Sequence, residues 1–345
     1  MILTDPYLET DRTGLFTDPM TRLLRDTESD NTPLLLQLIE GGGANRRLLG
    51  YLFGIAVFHP EKRVSGRAFA LLQRHAAETT VRQAQKLRET AAYHYDETEY
   101  FSRFQSAEID LFDLLLAGKM CLWHRDRPGQ GSNALVAHQT LDLRRLQVET
   151  LSPELATLDF LKLVALPAHK DFDLVSAIPV LLQLPLEILI IENIRIDIFP
   201  VALLALPRLT TFIIRKGNLR PRTPMQVPAG GPYGSASLEK LIVEGYPLNG
   251  EENLGPFPRL REATLQRCNL TQLGFLEQSR SLERLNVRYN HLETLPAFLS
   301  GCAELRSLEL SYNPYRRIDL HLEALHNLEE LDLKMQTRLP GNFRL

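Results

Sequence analysis

The sequence predicts an α/β solenoid with a parallel sheet along its concave face, preceded by an all-α segment. Three observations carry this. The chain writes one phrase three times: Leu282-x-x-Leu285-x-Val287-x-x-Asn290, Leu305-x-x-Leu308-x-Leu310-x-x-Asn313 and Leu328-x-x-Leu331-x-Leu333, at intervals of 23 residues. Apolar residues in the first third instead recur at helical spacing, as in Leu48, Leu49, Leu52 and Phe53. Between the two regimes stands Arg127-Pro128-Gly129-Gln130-Gly131-Ser132, whose composition reads as a joint. The expected division is 1–125 helical, 126–134 linker and 135–345 solenoid.

Composition narrows the function classes. The chain has 345 residues, a formal charge of -3 and 44% hydrophobic residues, which suits about two domains. That balance gives no bulk electrostatic case for nucleic acid or an anionic membrane. Cys121, Cys268 and Cys302 are scattered and odd in number, so they predict neither a disulfide framework nor paired zinc spacing. The opening MILTDPYLETDRTGLF has no basic-then-apolar run, and no stretch reaches the ~18 apolar residues of a membrane span. A cytoplasmic protein of a reducing compartment is expected.

The helical segment is read in order. Thr32-Pro33 reads as an N-cap with proline in the first turn, and the run LLLQLIE stops at Gly41-Gly42-Gly43. A second helix runs from Asn45 to Phe58. His59-Pro60 breaks it, and a third runs from Glu61 to about His75 with Val64, Ala68, Leu71 and Leu72 on one face. This His-Pro-Glu hairpin resembles a single HEAT-type unit over about 30 residues. Further helices are expected from Glu78 to Tyr93 and from Ala107 to Met120. Such a segment suits a cap, because an open stack of repeats exposes an apolar end. Trp123 is expected near the joint.

In the repeated phrase, the two apolar residues of the LxL core point the same way from a short strand, and the residue between them points out. The Asn that follows sits at a turn, where its amide can bond unpaired backbone groups. Period, leucine pattern and Asn together resemble the leucine-rich repeat family. The resemblance implies a horseshoe of stacked repeats. Earlier, more degenerate repeats open at Leu186-x-x-Leu189-x-Ile191, Leu209-x-x-Phe212-x-Ile214, Leu238-x-x-Leu241-x-Val243 and Leu260-x-x-Ala263-x-Leu265. Leu141-Asp142-Leu143 and Leu161-Lys162-Leu163 read as the first two strands, which brings the count to nine. Cys268 stands in the turn position that the family fills with Asn or Cys, so a structural role is expected for it. Leu295-Pro296-x-x-Leu299 matches the LPxxL form of bacterial members, and Phe199-Pro200-x-x-Leu203 is its counterpart. On the convex side extended chain or 3₁₀ turns are expected, with a short α-helix possible over VALLALPRL. The stretch from Leu219 to Ser237 is rich in Pro and Gly and reads as a loop with no periodicity to bury.

The motifs of catalysis are missing. Ala117-Gly118-Lys119-Met120 lacks the first Gly and the hydroxyl of a phosphate-binding loop. His321 and His326 are five apart rather than four. His169-Lys170-Asp171-Phe172-Asp173, His94-Tyr95-Asp96-Glu97 and Cys121-x-x-His124 read as solvated loops or isolated residues. The chain ends at Leu345 inside or just after a repeat, which leaves no room for the cysteine-dependent ligase domain of some bacterial members. No enzyme, no cofactor and no metal are expected.

The concave face carries the functional expectation. The residues between core leucines run Asp142, Lys162, Ile190, Ile213, Ile242, Thr264, Asn286, Glu309 and Asp332. Ile190, Ile213 and Ile242 are consecutive and predict one apolar stripe. The next column holds Arg144, Val164, Glu192, Arg215, Glu244, Gln266, Arg288, Ser311 and Lys334, with Lys216, Arg267, Tyr289 and Tyr312 beside it. An apolar stripe edged by Arg and Tyr has the composition of an interaction hot spot. The expectation is a non-enzymatic, monomeric scaffold for a protein partner. Its contacts would be Ile190, Ile213, Ile242, Arg215, Lys216, Glu244, Gln266, Arg267, Arg288, Tyr289 and Tyr312. A small-molecule or catalytic role for the helical segment, around Trp123 and His124, is the alternative class, and a secreted bacterial effector is a third.

Overall fold

The computed structural model describes residues 31–90, 108–109, 113–114, 117–118, 121, 139–146, 148–216, 224–315 and 325–334. Two compact units are present, Met1–Leu141 with Ser152–Leu161, and Asp142–Leu151 with Lys162–Leu345. Trp123, His124, the 126–134 joint, the His94–Glu97 cluster and His321 lie outside the described residues.

In the first unit, α1 spans Thr32–Gly42, α2 Arg46–Phe58, α3 Lys62–His75 and α4 Glu78–Thr90. The N-cap of α1 is Asn31 rather than Thr32, since its carbonyl accepts from Leu34 and Leu35 N–H at 3.1 and 3.0 Å. Pro33 falls in the first turn, where its missing N–H costs nothing. Gly43 ends the helix at φ +80°. The α2 start is capped by Asn45, whose Oδ1 accepts from Leu48 N–H at 2.9 Å.

α2 is apolar on nearly every side, with Leu52, Phe53, Ile55 and Ala56 fully buried, so it is the core of this unit. Its two glycines permit close packing. A Cβ on Gly50 would lie 2.7 Å from Asp113 Cβ, and one on Gly54 2.5 Å from Ala117 Cβ. Ser65 on α3 donates to the Ala56 carbonyl at 2.7 Å, and Arg67 clamps the Glu40 carboxylate with two hydrogen bonds of 2.7 and 2.6 Å. This hydrogen-bonded guanidinium holds the Glu40 carboxyl below its usual range.

The second unit is organised by a nine-stranded sheet. Its strands are β1 Thr140–Asp142, β2 Leu163–Ala165, β3 Ile188–Glu192, β4 Thr211–Arg215, β6 Lys240–Glu244, β8 Glu262–Gln266, β9 Arg284–Asn286, β10 Ser307–Glu309 and β11 Glu330–Asp332, in that order. The pairing from β2 onward is parallel and keeps the repeats in phase, so that Leu189, Phe212, Leu241, Ala263, Leu285, Leu308 and Leu331 are partners in succession. All but Leu331 are buried, as are Ile191, Ile214, Val243 and Leu265 two residues on. Each such side chain contributes about 1.5–3 kcal/mol by leaving water, and no single repeat could bury them alone.

The turn residues act as the pattern implies. Asn290 Oδ1 accepts from Cys268 and Leu270 N–H at 3.0 and 3.1 Å, and its Nδ2 donates to the Leu265 and Val287 carbonyls at 2.6 and 2.9 Å. Asn313 repeats the scheme one turn on. Cys268 is fully buried and its thiol donates to the Val243 carbonyl at 3.1 Å. Burial, with a smaller push from Glu244, drives its thiol well above the ordinary range, which suits a packed group and not a nucleophile. Tyr246 takes the turn position of its own repeat. It is 1% exposed, and its hydroxyl donates to the carbonyl of Ile194, where Asn is missing.

Three expectations are corrected. The second strand is not centred on Lys162. Leu163, Val164 and Ala165 pair with Ile188, Leu189 and Ile190, so the repeat reads Leu161-x-x-Val164-x-Leu166. Val164 is buried, and Ala165 takes the place beside Ile190. The run LKLVALP is apolar at both parities, so alternation could not set its register. The stretch before Leu238 is not a plain loop where it is described. Met225–Gln226 (β5) pairs in parallel with Leu248–Asn249 (β7), and Met225 and Val227 are buried on either side of exposed Gln226. Finally, Val201–Ala205 is 3₁₀, whereas Leu174–Leu181 (α5) is an α-helix, capped by Asp173 through Ser176 N–H at 3.1 Å.

Candidate functional site

The exposed face of the sheet is built from three rows. The first is the residue between each pair of core positions. By register it runs Ala165, Ile190, Ile213, Ile242, Thr264, Asn286, Glu309 and Asp332. Ile190 and Ile213 are half-buried and open to solvent. Ile242 is not: it is 3% exposed, against the expectation of a three-residue stripe. On its strand it is flanked by Lys240 and Glu244, which reach sideways to Glu262 at 2.8 Å and Arg215 at 3.1 Å. Ala165 is also buried, at 1% exposed, so the open apolar patch is Ile190 with Ile213.

The second row is an alternating ion chain. Arg144 pairs with Asp142 at 2.6 Å and Glu192 at 3.5 Å; Arg215 reaches Glu192 at 4.0 Å and Glu244 at 3.1 Å. Arg215 and Glu244 thus neutralise each other. Gln266 follows, uncharged and half-buried, and then Arg288, which meets Glu309 at 3.4 Å and Asp332 at 3.9 Å. The Nε of Arg288 is buried and makes no hydrogen bond. Cross-strand charge pairs of this kind favour the register. Each is solvent-accessible enough to add little else.

The third row lies where the strands end. Asn193, Lys216, Gly245, Arg267, Tyr289 and Tyr312 occupy one repeat position. Asn193, Gly245, Arg267, Tyr289 and Tyr312 all have φ between +54° and +75°. Glycine suits this region; bulky residues there are strained by roughly 1–2 kcal/mol. A Cβ on Gly245 would also meet the Lys216 carbonyl oxygen at 2.8 Å. Tyr289 and Tyr312 stack with centroids 4.3 Å apart and planes 4° apart. The Arg267 guanidinium lies 4.9 Å from the Tyr289 ring, and that of Arg288 lies 5.6 and 5.7 Å from the two rings. Lys216 sits 5.0 Å over the Tyr246 ring, and burial lowers its ammonium pKa.

The structure therefore brings Arg267, Arg288, Tyr289 and Tyr312 together in one cluster. It places Ile190, Ile213, Arg215 and Glu244 in a second, and leaves Ile242 buried. Tyr246 was not singled out by the sequence, because a Tyr in the turn position carries no pattern of its own; the missing Asn at Ile194 was the available signal. Among the described residues there is no group of three or more His, Cys, Asp or Glu placed to hold a metal, and no helix long and apolar enough to cross a membrane.

No family model matches the chain, and no curated protein does. Solved structures do. A leucine-rich repeat protein of Leptospira interrogans is 19% identical with a TM-score of 0.44, over 60% of this chain and 53% of its own. Internalin C2 of Listeria monocytogenes is 14% identical with a TM-score of 0.40, over 59% of this chain and 83% of its own. The leucine-rich repeat domain of the type III effector XopL is 14% identical with a TM-score of 0.39, over 92% and 96%. This chain thus spans about half the length of the Leptospira protein. By its own period, in-phase parallel sheet and Asn-bonded turns, the second unit is a leucine-rich repeat solenoid.

Proposed function

We propose that the chain is a non-enzymatic scaffold that binds a protein partner on the exposed face of its repeat sheet. The observation that carries this is the Arg267–Tyr289–Tyr312–Arg288 cluster. Two tyrosines hold a backbone conformation that costs energy and stack at the surface, beside a guanidinium whose buried Nε makes no hydrogen bond. Strain and unmet donors at a surface are sustained where they serve contact rather than folding, and Tyr and Arg dominate the energies of interfaces. Ile190 and Ile213 add an apolar patch on the same face, with Arg215 and Glu244 as its charged border. Ile242, next to Ile213 in the row but 3% exposed, is not part of the patch.

The test is a capture experiment from the source cell's lysate with three baits: wild type, Ile190→Glu/Ile213→Glu, and Tyr289→Ala/Tyr312→Ala. A protein held by wild type and lost by either folded variant supports the reading. Equal capture by all three baits places the binding elsewhere and refutes it.

A further inference from the structure

The strand-end row also differs from the rest of the face in its charge. Arginines carried on the strands or just after them each meet a carboxylate: Arg144 with Asp142, Arg215 with Glu244, Arg284 with Glu262, and Arg288 with Glu309. Lys216 and Arg267 break this rule. Among the described residues neither makes an ion pair, and each lies over a tyrosine ring instead. The acidic group that influences Lys216 is Asp197, which is itself paired with Arg195 at 3.3 Å. A cation held over an aromatic ring keeps N–H donors free for a carboxylate.

The spacing of these cations is set by the sheet. Lys216 follows β4 and Arg267 follows β8, with β6 between them, so they stand two strand spacings apart, about 10 Å. The intervening position is Gly245, which has no side chain to fill the gap. Beyond Arg267 come Tyr289 and Tyr312, after β9 and β10. From Lys216 to Tyr312 the row therefore covers four strand spacings, about 19 Å, which an extended peptide spans with about six residues.

We propose that this row binds an extended acidic segment of the partner, with carboxylates on Lys216 and Arg267 and a flat side chain laid on the Tyr289–Tyr312 stack. The proposal rests on the interaction reading above and names the chemistry of what binds. A nucleic acid fits less well. Among the described residues, Lys216 and Arg267 are separated by a glycine and the nearby Arg195 and Arg288 are each paired with a carboxylate; on a chain of formal charge -3 this does not make the continuous basic track that a phosphate backbone needs.

The test uses the full chain to sort a display library of random 12-residue peptides. The expected winners carry Asp or Glu together with an aromatic residue. Their binding should fall at least tenfold in Arg267→Glu and in Lys216→Glu, weaken as salt rises, and resist competition by a single-stranded 20-mer oligonucleotide. Protection of Cys268 from a thiol reagent verifies that each variant is folded. Acidic winners that ignore both charge reversals but are lost in Ile190→Glu/Ile213→Glu would overturn this proposal and leave the interaction face standing. Basic or uncharged winners, no winners, or displacement by the oligonucleotide would each overturn it too.

Discussion

Asn290 is the sharpest test of how the repeats are held together. It is 3% exposed and its amide serves five backbone groups: the Cys268 and Leu270 N–H, and the Leu265, Val287 and Arg288 carbonyls. Asn290→Ala removes all five bonds. The Val287 carbonyl keeps Asn313 Nδ2 at 2.8 Å and the Arg288 carbonyl keeps the Arg267 N–H at 3.2 Å, so three groups lose a partner in a buried turn. At about 1 kcal/mol each, the loss should be about 3 kcal/mol. Asn313→Ala strips Leu292 N–H and the Leu310 carbonyl while Val287 keeps Asn290, so about 2 kcal/mol is expected. The double variant should exceed the sum by about 1 kcal/mol, because only then does Val287 lose both donors. Urea unfolding followed by circular dichroism measures all three. Single losses under about 0.5 kcal/mol, or strict additivity, would refute the idea that these amides bridge neighbouring repeats.

Three further outcomes follow from the same geometry. Cys121, Cys268 and Cys302 are buried, and burial pushes the Cys268 and Cys302 thiols up; a maleimide reagent at neutral pH should label none of them until urea unfolds the chain. Tyr246→Phe should cost about 1–2 kcal/mol at neutral pH by leaving the Ile194 carbonyl without its hydroxyl donor. Burial also raises the Tyr246 pKa, so its phenol contributes fully below about pH 10, where an unfolded tyrosine begins to ionise, and that contribution is lost as the pH climbs toward the higher folded value. The Phe variant should therefore lose less stability than wild type between about pH 9 and 11. Gly54→Val should destabilise the helical unit by about 1–3 kcal/mol through overpacking against Ala117, and a thermal melt of that variant would expose an error if it stayed unchanged.

What the sequence could show depended on how local each cause was. The phrases around Asn290 and Asn313 were readable because leucine spacing and turn residue agree, and each acts within its own repeat or the next. The extent of α2, expected over Asn45–Phe58 and found over Arg46–Phe58, was legible for the same reason. Register failed at Leu161–Leu166, where apolar residues fall on both faces and only pairing with β3 decides. Met225-x-Val227 was hidden inside a Pro/Gly-rich stretch whose composition spoke more loudly than a two-residue alternation. Ile242 is 3% exposed although it stands in register with half-buried Ile213, a difference that no local pattern reports. Lys216, Arg267, Tyr289 and Tyr312 could be placed in one column from the repeat. The tyrosine stacking, the positive φ of Arg267, Tyr289 and Tyr312, and the absence of ion pairs at the two cations among the described residues needed coordinates.

The account's central claim is that contact with a partner is made by the repeat sheet and the row at its strand ends. Site-specific photo-crosslinking in the source lysate addresses it most directly, with a benzophenone side chain placed at Ile213, at Tyr312 or at Ile198. Ile198 is 62% exposed but lies off the nine-stranded sheet. The account predicts the same crosslinked protein from positions 213 and 312 and none from 198. A crosslink from 198 alone would contradict it.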